Sequence, residues 1–202
     1  TPASTSTILN YGTEYSITAT AKTGYQFVAW YSDAALTKQG STSATYSTTL
    51  GAANIEYYAK FNVRTYTITI DPNSPTTGSN ISGWYDYNDY KTTPAPVQTI
   101  TKSTSITMTY GSTVTMTAPR KTGYTFVEWK LNGSGTLKST ADTTKNSTYT
   151  CGAGSGTVTA IWNINTFTIN YNGNGSNAGT KVPPQTFTYN VAQKLNKNTF
   201  ER

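Results

Sequence analysis

Lys121-Thr122-Gly123-Tyr124-Thr125-Phe126-Val127-Glu128-Trp129 repeats, with two changes, the earlier stretch Lys22-Thr23-Gly24-Tyr25-Gln26-Phe27-Val28-Ala29-Trp30. From Tyr11 to Trp30 and from Tyr110 to Trp129 the copies align without a gap at an offset of 99, with 11 identities in 20 positions. The chain is therefore a repeat protein, and its other features are read against that period. Tyr124-x-Phe126 has the spacing of a strand, whereas Phe126-x-x-Trp129 suits a strand that bends while keeping its aromatics turned toward a core. The Gly just before supplies a tight entry.

Working outward, the composition agrees with small β modules. Thr accounts for 43 of the 202 residues and Tyr for 16, whereas charged residues make up only 12%. β-Branched and aromatic side chains favour pleated surfaces, and the good helix formers Glu, Leu and Met are scarce. The expected class is mainly β. No apolar run is long enough for a transmembrane helix, so direct membrane insertion is not expected. Thr1-Pro2-Ala3-Ser4 has neither the basic start nor the apolar centre of a signal peptide, which leads us to expect a soluble fragment that begins inside a longer protein.

The net charge is +6, with a pI near 9.3. The cations are scattered, as at Lys22, Lys38, Lys60, Arg64, Lys91 and Lys102, without any run of five. Scattered charge is a solubility feature, with a mild pull toward anionic wall polymers as the second reading. No arginine stripe or nucleic-acid module is present, so nucleic acid is not an expected partner. The single Cys151 has no internal partner for a disulfide, and the expected place for its thiol is a buried strand.

Taken in order, Thr1 to Asn10 is rich in Ser and Thr, and Glu14-Tyr15-Ser16-Ile17-Thr18-Ala19 alternates as a strand with one wet face. The signature strand runs from Gly24 to Tyr31. Ser32-Asp33-Ala34-Ala35-Leu36 suits either a turn of helix or a loop. Ile55 to Phe61 closes the first module, and Thr157-Val158-Thr159-Ala160-Ile161-Trp162 is its counterpart, now at an offset of 101. Asn62-Val63-Arg64-Thr65-Tyr66-Thr67-Ile68 then matches Asn163-Ile164-Asn165-Thr166-Phe167-Thr168-Ile169 in the same phase. Each closing strand runs through a short link into the next opening strand, and short links restrict hinge motion.

Three modules are expected on this basis. Residues 1–62 form a partial module without its opening strand, 63–163 a complete one with an insertion at about 71–101, and 164–202 the first half of a third. The third reads as a strand over Phe167 to Tyr171, a Gly/Asn turn through Asn172 to Ser176, and a second strand from Gln185 to Tyr189. The sequence ends where a Gly-Tyr-x-Phe signature would be due, which suggests a piece of a longer array.

Catalytic candidates are few. The chain has no His, and neither Ser nor Cys has a partner base at a motif spacing. Nine carboxylates could include a glycosidase pair, yet Glu14 corresponds to Thr113, Glu128 to Ala29 and Glu56 to Thr157. No catalytic residue, metal ligand or cofactor site is expected. Tyr25, Phe27, Trp30, Tyr124, Phe126 and Trp129 could form a sugar-stacking platform, but the expected role is a structural core signature, because a small module spends its aromatics on burial. Trp84, Tyr85, Tyr87 and Tyr90 lie in the insertion among Asp86, Asn88 and Asp89, where the repeat core does not demand them; they are the candidate ligand contacts, against a satellite cluster under a long loop. Asp86, Asn88 and Asp89 lack the turn Gly and closing Glu of a calcium loop. The four Asn-x-Ser/Thr sequons are what a chain of this composition yields by chance.

The set Tyr110-Gly111, Gly123-Tyr124-Thr125-Phe126-Val127-Glu128-Trp129 and Thr159-Ala160-Ile161-Trp162, with its first-module partners, resembles the internalin-type B-repeat, or Listeria-Bacteroides repeat, family and its divergent relatives. Phe167 to Gly175 and Gln185 to Tyr189 look like the first half of a further unit. The resemblance covers nearly the whole chain apart from Asp71 to about Thr101. Departures are Ala29 and Glu128, where the family often has Gly before Trp, and a longer period, which implies enlarged loops. The resemblance implies small β-grasp-like modules of about four strands each, arranged as an elongated array on the bacterial cell surface, without enzymatic activity. It suggests a structural stalk of an adhesin-like protein, with other repeats of the same chain as neighbours. The alternatives are a module binding a host or wall glycan or protein, and an accessory domain of a secreted glycosidase.

Overall fold

A computed structural model describes residues 6–83, 97–139 and 145–202, and among them every regular element is a β-strand. The first group comprises β1 (Glu14–Thr18), β2 (Tyr25–Tyr31), β3 (Gln39–Ser41), β4 (Thr45–Thr49) and β5 (Tyr58–Val63). β1 pairs antiparallel with β4, and β2 is flanked by β3 and β5. Ser32 to Leu36 is a turn: the Asp33 carboxylate accepts hydrogen bonds from the Thr37 and Lys38 amides, and Leu36 adopts φ 55°.

The middle group is the largest. It runs through β6 (Thr65–Asp71), β7 (Ser79–Ser82), β8 (Gln98–Ile100), β9 (Thr104–Thr109), β10 (Thr113–Met116), β11 (Tyr124–Gly133), β12 (Thr136–Ser139), β13 (Ser147–Thr150) and β14 (Gly156–Ile164). Four of these form a mixed sheet in the order β11-β14-β6-β9, in which only the central pair β14-β6 is parallel. The other five form an antiparallel sheet in the order β12-β13-β10-β7-β8. Alternation along the strands turns one face of each sheet inward. Ile68, Ile70, Met108, Val158 and Trp129 of the mixed sheet share a core with Ile81, Ile100, Val114, Met116 and Tyr149 of the other. Burying each large side chain contributes about 1.5–3 kcal/mol, so this cluster is the main source of cohesion.

Two expectations change here. About four strands describes the mixed sheet alone, because a second sheet of five completes the core. The insertion at 71–101 is also not merely added: its described ends form β7 and β8, whose Ile81 and Ile100 are buried at 0% and 2% exposure.

The last group holds β15 (Thr166–Ile169), β16 (Ala178–Gly179), β17 (Gln185–Thr188) and β18 (Phe200–Glu201), paired as β15-β17 and β16-β18. No strand pairing links one group to another among the described residues. Single residues connect them: Arg64 lies between β5 and β6, and Asn165 between β14 and β15.

The signature strand carries the same irregularity twice. In β2 the register with β5 shifts between Phe27 and Ala29, and in β11 the register with β14 shifts between Phe126 and Glu128. The extra residue, Val28 or Val127, is a β-bulge. A regular strand puts residues three apart on opposite faces; one bulged residue returns them to the same face. Phe126 and Trp129 consequently meet with ring centroids 5.8 Å apart, and Phe27 and Trp30 with centroids 5.7 Å apart.

Candidate functional site

The feature built twice from equivalent residues is the joint between consecutive strand groups. Gly24 enters β2 with φ 81°, a left-handed conformation that side chains with a Cβ resist. Its carbonyl accepts a hydrogen bond from the Arg64 amide at 2.8 Å, and the Arg64 carbonyl in turn accepts one from the Tyr110 amide at 2.9 Å. The Arg64 Nε donates to the Tyr25 carbonyl at 3.1 Å. The Tyr110 ring lies over Gly24, and a Cβ placed on that glycine would fall 2.2 Å from two ring atoms. Tyr25 and Tyr110 meet edge to face with centroids 6.4 Å apart, within the range where aromatic pairs attract.

The second joint reproduces this relay. Gly123 has φ 76°; its carbonyl accepts from the Asn165 amide at 2.8 Å, and the Asn165 carbonyl accepts from the Tyr189 amide at 2.9 Å. A Cβ on Gly123 would lie 2.0 Å from Tyr189 Cδ1. Tyr124 and Tyr189 pack edge to face at 6.1 Å. The linker side chain differs: Asn165 Oδ1 accepts from Thr125 Oγ1 at 2.7 Å, where Arg64 reaches a carbonyl. Lys121 adds a cation over the Tyr124 ring, with Nζ 4.6 Å from the centroid, and the same Nζ donates to the Asn73 carbonyl at 3.3 Å. Thus the linker residue uses both backbone polar groups to bind the group before it and the group after it. Main-chain hydrogen bonds and a glycine contact make each connection, and what the two joints share lies in the backbone and not in the linker side chain.

The structure separates the six aromatics of the signature. Trp129 is 2% exposed and Phe126 8%, inside the two-sheet core, and Trp30 is also 8% exposed. Tyr25, at 40% exposure, and the half-buried Tyr124 instead face the joint tyrosines. Phe27 is half-buried between Trp30 and Phe61. Trp30 Nε1 donates to the Ala44 carbonyl at 3.1 Å, whereas the buried indole nitrogens of Trp129 and Trp162 have no hydrogen-bond acceptor among the described residues. Trp84, Tyr85, Tyr87 and Tyr90, together with Asp86, Asn88 and Asp89, lie outside the described residues.

Elsewhere the chemistry is quiet. Cys151 is buried with its thiol 3.8 Å from the Met108 carbonyl, and burial pushes its pKa up, away from the reactive thiolate. Among the described residues, no cluster of His, Cys, Asp and Glu is arranged to hold a metal ion. None of the helices, since the described residues contain none, is long and apolar enough to cross a membrane.

Sequence reading singled out Gly24 and Gly123 as turn residues and missed Tyr110, Tyr189, Arg64 and Asn165 as their partners. A signal was present: each Thr-rich strand ends in Tyr followed by a residue with positive φ, Gly111 at 79° and Asn190 at 55°. What it could not supply was that this Tyr reaches back to the preceding group.

Comparison with known proteins agrees with the repeat. A protein of Evansella cellulosilytica named "Putative membrane protein" is 25% identical over 169 residues, covering 83% of this chain. The chain spans about a fifth of that relative's length, 20%. No solved structure matches. The model of the divergent InlB B-repeat domain matches residues 1–65 and 89–166, two segments that each end just past a joint linker, and the chain belongs to that family.

Proposed function

We propose that the chain is a run of non-enzymatic spacer units in a bacterial surface protein, divided at about residues 62–63 and 163–164, which holds another part of that protein away from the cell. The observation that carries this reading is the joint: two linkers of one residue each, with the same hydrogen-bond relay and the same Tyr-on-Gly contact. A connection repeated in one geometry adds each unit at the same angle, which suits a semi-rigid array better than independently swinging beads. Membership of the B-repeat family and a relative named for the membrane support a place at the cell surface. The mixed sheet, with its parallel central pair flanked by antiparallel strands, supports a β-grasp-like reading of the unit. Small-angle scattering on residues 1–202 tests the array: an elongated particle of narrow conformational spread is expected, and a compact globule overturns the stalk.

A second reading is binding of a host or wall glycan or protein by the segment between β7 and β8. It is favoured by where that segment is rooted: the two strands pair at the edge of the five-stranded sheet, with Ser79 opposite Ile100. Trp84, Tyr85, Tyr87 and Tyr90 would carry it. Glycan-array binding that survives changing all four to Ala rules this site out.

A further inference from the structure

We propose that the middle group is a tension-bearing unit, its parallel pair β6-β14 acting as a clamp against force applied along the chain. The inference rests on the spacer reading and adds what that spacer withstands. It begins with where the chain enters and leaves the group. β6, from Thr65, is the first strand and β14, to Ile164, the last, and the two lie side by side at the centre of the mixed sheet. They run parallel, with Gly156 opposite Ile68, Thr157 opposite Thr69, Val158 opposite Ile70 and Thr159 opposite Asp71.

Direction decides how this pair meets a pull on the two ends of the chain. Force reaches β6 at its N-terminal end and β14 at its C-terminal end, and in a parallel pair those ends point opposite ways. The strands are therefore driven to slide past each other along their length. Sliding strains the evenly spaced hydrogen bonds of all four residue pairs together, because none can lengthen alone. In an antiparallel pair the same two ends would sit side by side, and the pairs would open one at a time.

The surroundings of the pair favour sliding over peeling. Each loaded strand is held on its other side by an antiparallel partner: β14 by β11, from Tyr124 opposite Ile164 to Gly133 opposite Gly156, and β6 by β9, from Thr65 opposite Thr109 to Ile70 opposite Thr104. Neither leaves the sheet without breaking a second ladder. Ile68, Ile70, Val158 and Ala160 are all 0% exposed, so one face of the clamp is closed to water and its hydrogen bonds are the stronger for it. Entry and exit are tied down as well. Arg64, just before β6, donates its amide to the Gly24 carbonyl, and Asn165, just after β14, donates its amide to the Gly123 carbonyl. Tension thus passes between groups at the strand ends and not through a long flexible linker.

Single-molecule force spectroscopy on residues 1–202 in two tethering geometries tests the clamp. In the first the chain is held by its two ends; in the second it is held through Ser74→Cys and the C-terminus, the native Cys151 being buried. Ser74 is exposed just beyond β6, so this handle loads β6 and β14 at the same end of the pair and parts Thr159 from Asp71 first. Thermal melting of the variant should match wild type, so that the direction of force is what changes. The middle group is recognised by its gain in length when held by the ends, roughly 330–360 Å for Thr65 to Ile164 less the folded span. Its rupture force is expected to be about two- to fourfold higher in that geometry, where four pairs share the load, than in the other, where one bears it. Equal forces in the two geometries overturn the clamp, and an elongated particle in scattering then leaves the spacer standing. A compact particle overturns both, since a globule offers no axis along which the pair is pulled.

Discussion

Gly123 meets two requirements at once. Its φ of 76° lies in the left-handed region, and its missing Cβ leaves room for the Tyr189 ring. Gly123→Ala is expected to cost about 1–2 kcal/mol from the backbone conformation alone, with the clash in addition. Tyr189→Ala removes the clash but not the strain. The double variant should therefore be less destabilised than the two single changes added together, and a denaturant-melt double-mutant cycle measures the difference. Strictly additive losses would mean that the ring and the glycine act independently. The repeated Lys-Thr-Gly-Tyr marks this glycine in the sequence, but the ring that needs its space comes from a residue 66 positions later in the second joint and 86 in the first.

Elements show how far local pattern reaches. The strand from Glu14 and the signature strand were legible from alternation and aromatic spacing, and the bulge at Val28 and Val127 explains why Phe-x-x-Trp departs from period two. The turn at Ser32 to Leu36 was not decidable, because its outcome depends on one carboxylate. Hydrogen bonds from Lys38 and Thr37 hold the Asp33 pKa below its ordinary value of 3.8. A lowered folded pKa means that the turn is supported above the ordinary value and loses that support as pH falls through the folded one. In an NMR titration, the Thr37 and Lys38 amide shifts should follow Asp33 with a midpoint below 3.8; a midpoint at or above that value contradicts the contact. The insertion was the least legible part, since its ends add β7 and β8 beside β10, whereas the equivalent strand β1 pairs with β4 alone. Ile81→Ala is expected to destabilise the middle group by about 2–4 kcal/mol. A loss below about 1 kcal/mol in urea melting would show that β7 is peripheral.

The whole molecule depends on the two linkers. Inserting Gly-Gly after Asn165 separates the Gly123 carbonyl from the Tyr189 amide that the same residue bridges. The expected result is an unchanged melting temperature for the middle group, with a broader distribution of end-to-end distances by scattering. An unchanged distribution would show that the joint does not set the angle between units. The repeat, its two offsets, the mainly β class and the family were all set by the sequence alone, because they reside in residue identity and short-range periodicity. The second sheet, the burial of Ile81 and Ile100, and the partnership of Tyr110 and Tyr189 with the signature glycines required the folded chain. Each depends on contacts between residues far apart in sequence, where local pattern carries no information about which surface meets which.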